Sequence, residues 1–193
     1  MYQGKRILAI IPARGGSKGL PGKNIKKLCG KPLIGWSINH AKESKYIDDI
    51  YISTDSLEIA TVAGECGVNV PELRPSEYAS DTTPSSAFIL YTIEKLKAEG
   101  KVFDYFILLE PTSPLRDVED IDKSIEILVN NPDADSIVGV CKAEDVHPAF
   151  MVKMREDSFC FFPPRPGVAL GGAAPFDPTA LLASWAWDPG PPL

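Results

Sequence analysis

The sequence predicts a three-layer α/β fold, in which a mainly parallel sheet carries helices on both faces. Short apolar runs alternate along the chain with longer segments of helical period, and this alternation is typical of proteins built on a parallel sheet. Loops rich in glycine and polar residues follow the apolar runs. Because ligands bind outside the carboxyl ends of the strands in an open parallel sheet, we expect these loops to form one site.

The individual elements follow from local patterns. Residues 7–11 and 105–109 are apolar throughout, as fully buried parallel strands are. Pro32 and Pro84 suit the first turn of a helix, and Gly67 suits the position just after one. In chain order, the sequence predicts strands at 50–52 and 136–140 in addition to these two, and helices at 32–43, 56–66, 84–99 and 117–128.

Composition and charge exclude several classes of function. The chain of 193 residues is long enough for a domain with a sizeable core, and its net charge of −6 argues against a nucleic-acid or membrane role. The first 42 residues nevertheless contain nine Lys or Arg and no Asp or Glu. Such a segment is either a solvated basic face or a docking place for an anion. Four scattered cysteines without metal-ligand spacing indicate reduced thiols in a cytoplasmic protein.

A glycine-rich cationic loop follows the first strand. Residues 12–24 read Pro-Ala-Arg-Gly-Gly-Ser-Lys-Gly-Leu-Pro-Gly-Lys-Asn, with four glycines and two prolines that exclude regular structure. Backbone N–H groups in such a loop approach a ligand closely, and three cations add positive charge. The loop has no Gly-x-Gly, which excludes a dinucleotide fingerprint, and it lacks the spacing and terminal hydroxyl of a Walker A loop. It predicts a polyphosphate site of another class.

Arg14 and Lys18 are the residues that we expect to hold a triphosphate. A planar guanidinium contacts two phosphate oxygens at once, whereas a lysine supplies a mobile point charge. The alternative is a basic surface loop without a ligand. The Asn24 side chain offers both a hydrogen-bond donor and an acceptor for a base or ribose. The alternative interpretation is that Asn24 is a turn residue without a ligand. On local grounds, Asp81 and its neighbours form a helix cap.

Three segments resemble the signatures of one enzyme family. Residues 12–24 resemble the signature loop of the cytidylyltransferases that activate sialic acid and related nonulosonic acids with CTP, the acylneuraminate cytidylyltransferases or CMP-sialic acid synthetases. Residues 73–75 (Leu-Arg-Pro) with 79–82 (Ala-Ser-Asp-Thr) resemble the second signature, and residues 110–116 (Glu-Pro-Thr-Ser-Pro-Leu-Arg) resemble the third. The resemblance covers residues 6–157 and implies a Rossmann-like nucleotidyltransferase sheet.

The resemblance also implies a role for each matching residue. Arg74 and the segment near Ser85 would recognise cytosine. Sialate-activating members usually have Gln where this chain has Glu110, and a carboxylate there would repel the carboxylate of a sialic acid or meet a different substituent. The implied catalytic residues are Arg14, Lys18 and Lys23. The implied nucleotide-binding residues are Ala13, Arg14, Gly15, Lys18, Asn24, Arg74, Asp81 and Ser85. The implied acceptor-binding residues are Glu110, Thr112 and Ser113.

The implied reaction joins CTP to a nonulosonic acid such as sialic or legionaminic acid. The anomeric hydroxyl of the acid attacks the α-phosphorus of CTP and pyrophosphate leaves, a step that depends on positioning and charge neutralisation. The resemblance further implies Mg²⁺, with ligands that the sequence does not identify, and a homodimer. Two alternatives stay open: a truncated, inactive nucleotide-binding remnant of the family, and a nucleotidyltransferase for another sugar.

The chain changes character near Ser158. Residues 158–193 contain eight prolines and no lysine, so we expect an irregular tail after a cytidylyltransferase-like domain at 1–157. Family members continue instead with a segment that reaches a partner subunit and with an acidic Asp-x-Asp motif that helps to hold the metal. Asp177 and Asp188 stand alone among prolines. This departure predicts that the C-terminal part of the family fold is missing and that nucleotide binding and dimerisation are impaired.

Overall fold

A parallel sheet forms the centre of the fold. The computed structural model describes residues 1–80, 83–139, 151–155, 158–162 and 180–183. Within these residues, the strands of this sheet are β1 (Ile7–Pro12), β4 (Asp49–Ser53), β5 (Tyr105–Leu108), β6 (Ser136–Val138) and β9 (Ala180–Ala183). They lie in the order β4-β1-β5-β9-β6, and each neighbouring pair is parallel. The predicted parallel architecture is therefore confirmed.

The predicted helices form, and each end lies within one residue of the prediction. Ser56 caps the second helix, since its Oγ accepts a hydrogen bond from the Ile59 N–H at 3.4 Å, and Asp117 caps the fourth in the same way from Glu119 at 3.1 Å. No helix of the described residues is long and apolar enough to cross a membrane. The helices are α1 (Leu33–Glu43), α2 (Leu57–Glu65), α3 (Ser85–Ala98) and α4 (Val118–Val129).

The strands alternate their side chains between two apolar layers, as the two-residue period of a strand requires. Ile7, Ala9 and Ile11 of β1 are buried in a cluster with residues of α1, α2 and α4. Leu8 and Ile10 of the same strand are buried in a second cluster, with residues of α3. The sheet therefore carries helices on both faces, which confirms the three-layer prediction.

A short hairpin between the glycine-rich loop and α1 was not predicted. Its strands are β2 (Lys27–Leu28) and β3 (Lys31–Pro32), which pair antiparallel. The two turn residues, Cys29 and Gly30, both have positive φ, at 50° and 82°. Two left-handed residues make the tight turn that suits the twist of a hairpin. Strands of two residues are too short to give a periodic sequence pattern.

The C-terminal region contains strands that differ from the predicted irregular tail. In the smaller of two compact units, β7 (Met151–Arg155) pairs antiparallel with β8 (Ser158–Phe162), across the predicted boundary at 157. In the larger unit, β9 pairs with both β5 and β6. These two segments form strands, and the division of the chain at 157 stays a prediction. Residues 158–162 and 180–183 contain no proline, so each can donate the backbone hydrogen bonds that a strand needs.

Candidate active site

The carboxyl ends of three neighbouring strands bring the predicted loops to one edge of the sheet. Pro12 at the end of β1 lies opposite Ser53 at the end of β4, and Ile10 lies opposite Leu108 at the end of β5. The Leu109 N–H donates to the Ile10 carbonyl at 2.9 Å, so the chain after β5 continues beside β1. The loops that follow these strands consequently begin side by side.

Two hydrogen bonds fix the start of the glycine-rich loop. The Ala13 N–H donates to the Ser53 carbonyl at 2.9 Å, and the Gly15 N–H donates to Oδ1 of Asp55 at 2.8 Å. A Cβ atom on residue 15 would lie 3.0 Å from the Cβ of Ser56, closer than such atoms normally approach. A side chain at residue 15 would therefore require Ser56 or the loop to shift by a few tenths of an ångström.

The far end of the loop is fixed by Asn24. Gly22 has a φ of 66°, which turns the chain into a short 3-10 helix at Lys23–Ile25. The Asn24 side chain is only 5% exposed, and its Nδ2 donates to the Arg14 carbonyl at 3.1 Å. This amide links the two ends of the loop. Its contact with a base or ribose stays a prediction.

The predicted phosphate-binding cations all lie on this anchored loop. Arg14 and Lys23 are half-buried, and Lys18 is exposed. Lys23 is near enough to Glu110, on the loop after β5, for its charge to lower the pKa of that carboxyl. The loop therefore presents positive charge at the carboxyl edge of the sheet, beside the predicted acceptor-binding segment. The contacts of these cations with phosphate stay predictions.

Glu110 is a partly buried carboxyl group at the end of β5. Its backbone carbonyl accepts hydrogen bonds from Ser37 Oγ at 3.2 Å and from Arg116 Nη2 at 3.3 Å. Its carboxylate accepts a long hydrogen bond from Thr112 Oγ1, at 3.4 Å. Burial raises the pKa of Glu110 to about 7, against the lowering effects of Thr112, Lys23 and Arg116. Both protonation states of this carboxyl are consequently populated near neutral pH.

Arg74 is buried and makes three kinds of contact with the protein. Its Nη2 donates to the Ser53 carbonyl, its Nη1 donates to the Tyr78 carbonyl at 3.3 Å, and its backbone N–H donates to the Thr54 carbonyl at 2.6 Å. Its Cζ lies 4.5 Å from the centre of the Phe88 ring, a cation–π contact. Burial lowers the pKa of Arg74 to about 10, so the guanidinium remains charged at neutral pH.

The remaining predicted residues are divided between the two other loops. Ser113 is half-buried and its N–H donates to the Glu110 carbonyl at 3.2 Å, whereas the Thr112 side chain is exposed. Ser85 is exposed and is the first residue of α3. Asp81 lies outside the described residues.

Several groups at this edge escaped the sequence analysis. Ser53, Thr54 and Tyr78 take part through backbone carbonyl groups, and no sequence pattern marks a carbonyl as a future acceptor. Phe88 reads as one more apolar residue of α3, although its ring also faces a guanidinium. Asp55 follows the predicted strand at 50–52, whose loop was expected at this edge, but the bond that it accepts from the Gly15 N–H required the structure.

The described residues contain no cluster of metal-ligating side chains. Within this part of the chain, no group of three or more His, Cys, Asp or Glu side chains is arranged to hold a metal ion. The Asp55 carboxylate, which borders the loop, already accepts the Gly15 N–H. The ligands of the implied Mg²⁺ are not identified among the described residues.

Comparison with protein families identifies the chain. A family model described as cytidylyltransferase matches residues 8–156, a range that includes the glycine-rich loop, Arg74 and Glu110. The chain belongs to the cytidylyltransferase family. The resemblance found in the sequence is thereby confirmed.

Two curated relatives are cytidylyltransferases that the chain is similar to in sequence. It is 46% identical over 122 residues to the CMP-N,N'-diacetyllegionaminic acid synthase of Legionella pneumophila, which covers 63% of this chain and 53% of that protein. It is 37% identical over 124 residues to the pseudaminic acid cytidylyltransferase of Campylobacter jejuni, covering 64% of this chain and 53% of that protein. The chain thus spans about half the length of these cytidylyltransferases.

A solved structure supports the cytidylyltransferase fold. The CMP:2-keto-3-deoxy-manno-octonic acid synthetase complexed with CTP has a TM-score of 0.60 to this chain at 19% sequence identity. The match covers 69% of this chain and 52% of that one. At this level of identity, the similarity concerns the fold alone.

Proposed function

We propose that this cytidylyltransferase transfers CMP from CTP to the anomeric hydroxyl of a nonulosonic acid and releases pyrophosphate. The observation that carries the proposal is the cationic loop, fixed at both ends to the carboxyl edge of a parallel sheet, in a chain of this family. The relatives named above act on legionaminic and pseudaminic acids, which are the acceptors that we propose to test first.

The loop is suited to hold the triphosphate of CTP. Arg14 and Lys18 would bind phosphate oxygens, and Lys23 would neutralise charge that develops on the leaving pyrophosphate. Ala13, Gly15 and Asn24 would keep the loop in place through the hydrogen bonds described above. Phosphoryl transfer needs positioning and charge neutralisation more than covalent participation of the protein, and a loop fixed before the substrate arrives meets this need.

The loop after β5 is suited to hold the acceptor. This loop contains Glu110, Thr112 and Ser113, and it begins beside β1, next to the proposed triphosphate site. The Glu110 carboxyl group would accept a hydrogen bond from the nonulosonic acid when it is ionised and would donate one when it is neutral. This arrangement would bring the attacking hydroxyl group close to the α-phosphorus.

Magnesium is part of the proposal only as a cofactor of the family. It would neutralise phosphate charge when bound. The proposed roles of the loop cations do not depend on the geometry of that metal.

The proposal is tested by measuring pyrophosphate release from CTP with legionaminic, pseudaminic or N-acetylneuraminic acid. CTP binding by calorimetry should be weakened roughly a hundredfold in the double variant Arg14→Ala, Lys18→Ala, because two charge-assisted contacts are lost. The matched control is Lys26→Ala, Lys27→Ala, which removes two exposed cations that directly follow the 3-10 helix. Equal CTP affinity in the parent and the Arg14, Lys18 variant would contradict the proposal.

A further inference from the structure

One peptide group of the glycine-rich loop is held by side chains at both of its polar atoms. This group joins Arg14 to Gly15. The Arg14 carbonyl accepts a hydrogen bond from Nδ2 of Asn24 at 3.1 Å, and the Gly15 N–H donates to Oδ1 of Asp55 at 2.8 Å. Because a peptide group is planar, bonds at its oxygen and its nitrogen together fix its orientation. The direction in which the backbone carries the Arg14 side chain is fixed with it.

Asp55 is itself held in a short turn between β4 and α2. Thr54 is buried, and its Oγ1 accepts a hydrogen bond from the Ser56 N–H at 3.1 Å, which closes the turn around Asp55. The Ser56 side chain also caps α2 by accepting the Ile59 N–H. The Asp55 carboxylate therefore gives Gly15 an acceptor whose backbone is anchored to the sheet and to a helix.

The negative charge of Asp55 would by itself oppose the binding of a triphosphate, because like charges repel. The same charge has a second electrostatic effect. Burial lowers the pKa of Arg74 to about 10, and the nearby Asp55 opposes this lowering. Asp55 thus helps Arg74 to remain charged for the base recognition that the family resemblance implies. Repulsion of phosphate, support of Arg74 and positioning of the loop predict different changes in ligand affinity when Asp55 is replaced.

We infer that Asp55 is a positioning residue of the nucleotide site, which orients the peptide group after Arg14 so that the Arg14 guanidinium meets the triphosphate. This inference rests on the proposed function, because it assigns a role in the same site. It leaves Arg74 in the role that the family resemblance implies. The nucleotide-binding role implied for Asn24 is also kept, since the bond to the Arg14 carbonyl uses the amide nitrogen and not the amide oxygen.

The test compares two replacements of Asp55, with CTP and with inorganic tripolyphosphate, which has no base. Asp55→Ala removes the acceptor of the Gly15 N–H and should weaken the binding of both ligands about tenfold in calorimetry, although it also removes a negative charge. Asp55→Asn keeps a side-chain oxygen that accepts hydrogen bonds, and it should bind both ligands as tightly as the parent or more tightly.

Three outcomes of this comparison would overturn the inference. Binding by Asp55→Ala as tight as the parent's, or tighter, would show that repulsion of phosphate outweighs positioning. Equal losses in Asp55→Ala and Asp55→Asn would show that the charge of Asp55 is needed and not the hydrogen bond. A loss confined to CTP would show that Asp55 acts on the base, through Arg74.

Glu58→Ala is the matched control, because Glu58 is an exposed acid in the first turn of the same helix, α2. The control variant removes a negative charge from the same helix end and loses the favourable interaction of that charge with the helix dipole. It should bind both ligands as the parent does. If Glu58→Ala weakens them as much as Asp55→Ala does, the effect is one of helix stability and the inference fails.

A double variant tests whether Asn24 and Asp55 act on the same peptide group. Residues that hold one group are not independent, so their effects on affinity should not multiply. Once Asp55→Ala has released the group, adding Asn24→Ala should weaken CTP binding by a smaller factor than Asn24→Ala does in the parent. Losses that multiply would show two independent contacts and would overturn the inference.

Hydrogen exchange provides a readout that needs no ligand. The Gly15 amide is protected by Asp55, and in Asp55→Ala its exchange should become about tenfold faster, while amides in β1 keep their protection. Unchanged exchange at Gly15 would overturn the inference even if the parent chain binds no nucleotide. Failure of the proposed function would instead appear as absence of CTP binding by the parent chain.

Discussion

Replacing Gly15 with alanine tests whether the close approach between the glycine-rich loop and α2 is required. The new Cβ would lie 3.0 Å from the Ser56 Cβ and 3.8 Å from Oδ1 of Asp55. Either Ser56 moves and its cap of α2 weakens, or the loop moves and the Gly15 N–H leaves Asp55. Overpacking of this kind costs about 1–2 kcal/mol, which corresponds to a fall of roughly 3–6 °C in melting temperature for a chain of this size.

CTP affinity should fall with stability, because the displaced backbone carries Arg14. We expect a loss of about tenfold by calorimetry, equivalent to about 1.4 kcal/mol. Gly16→Ala is the matched control for stability, since a Cβ at residue 16 meets no described atom within 4 Å. Thermal unfolding of both variants is monitored by circular dichroism. The comparison separates the steric effect at residue 15 from the general effect of replacing a glycine of this loop with alanine. A Gly15→Ala variant that melts and binds CTP as the parent does would refute the reasoning.

Three further perturbations test other parts of the structure. Because burial raises the pKa of Glu110 to about 7, its contribution to stability is fully present below about pH 4.5 and is lost as the pH rises through 7. Glu110→Gln should therefore remove this part of the pH dependence in denaturant titrations between pH 5 and 8, and identical pH profiles would contradict the assignment. Asn24→Ala removes the bond to the Arg14 carbonyl and should weaken CTP binding about five- to tenfold in calorimetry; unchanged affinity would show that the loop ends need no link. Ser44→Ala removes the 2.6 Å bond to the buried Asp122 carboxylate and should lower the free energy of unfolding by about 1–3 kcal/mol without changing CTP affinity, and a stability equal to the parent's would disprove this.

The sequence alone predicted the three-layer parallel fold, the family and the position of the glycine-rich loop. These features depend on patterns within single segments. Continuous apolar runs indicate buried strands, and glycine with cations after such a run indicates a polyphosphate loop. The end of a parallel strand also fixes the edge at which the following loop lies, so the meeting of several loops was predictable from their order alone.

Only the tertiary structure decided how the residues at that edge are used. Arg74 and Ser53 are 21 positions apart, and the guanidinium binds a backbone carbonyl that carries no sequence identity. The raised pKa of Glu110 results from burial by other segments. The strand β9, in a region read as irregular, forms by pairing with β5 and β6 rather than from its own composition. Local sequence determines which conformations a segment favours, whereas burial and hydrogen-bond partners depend on segments that are distant in the chain.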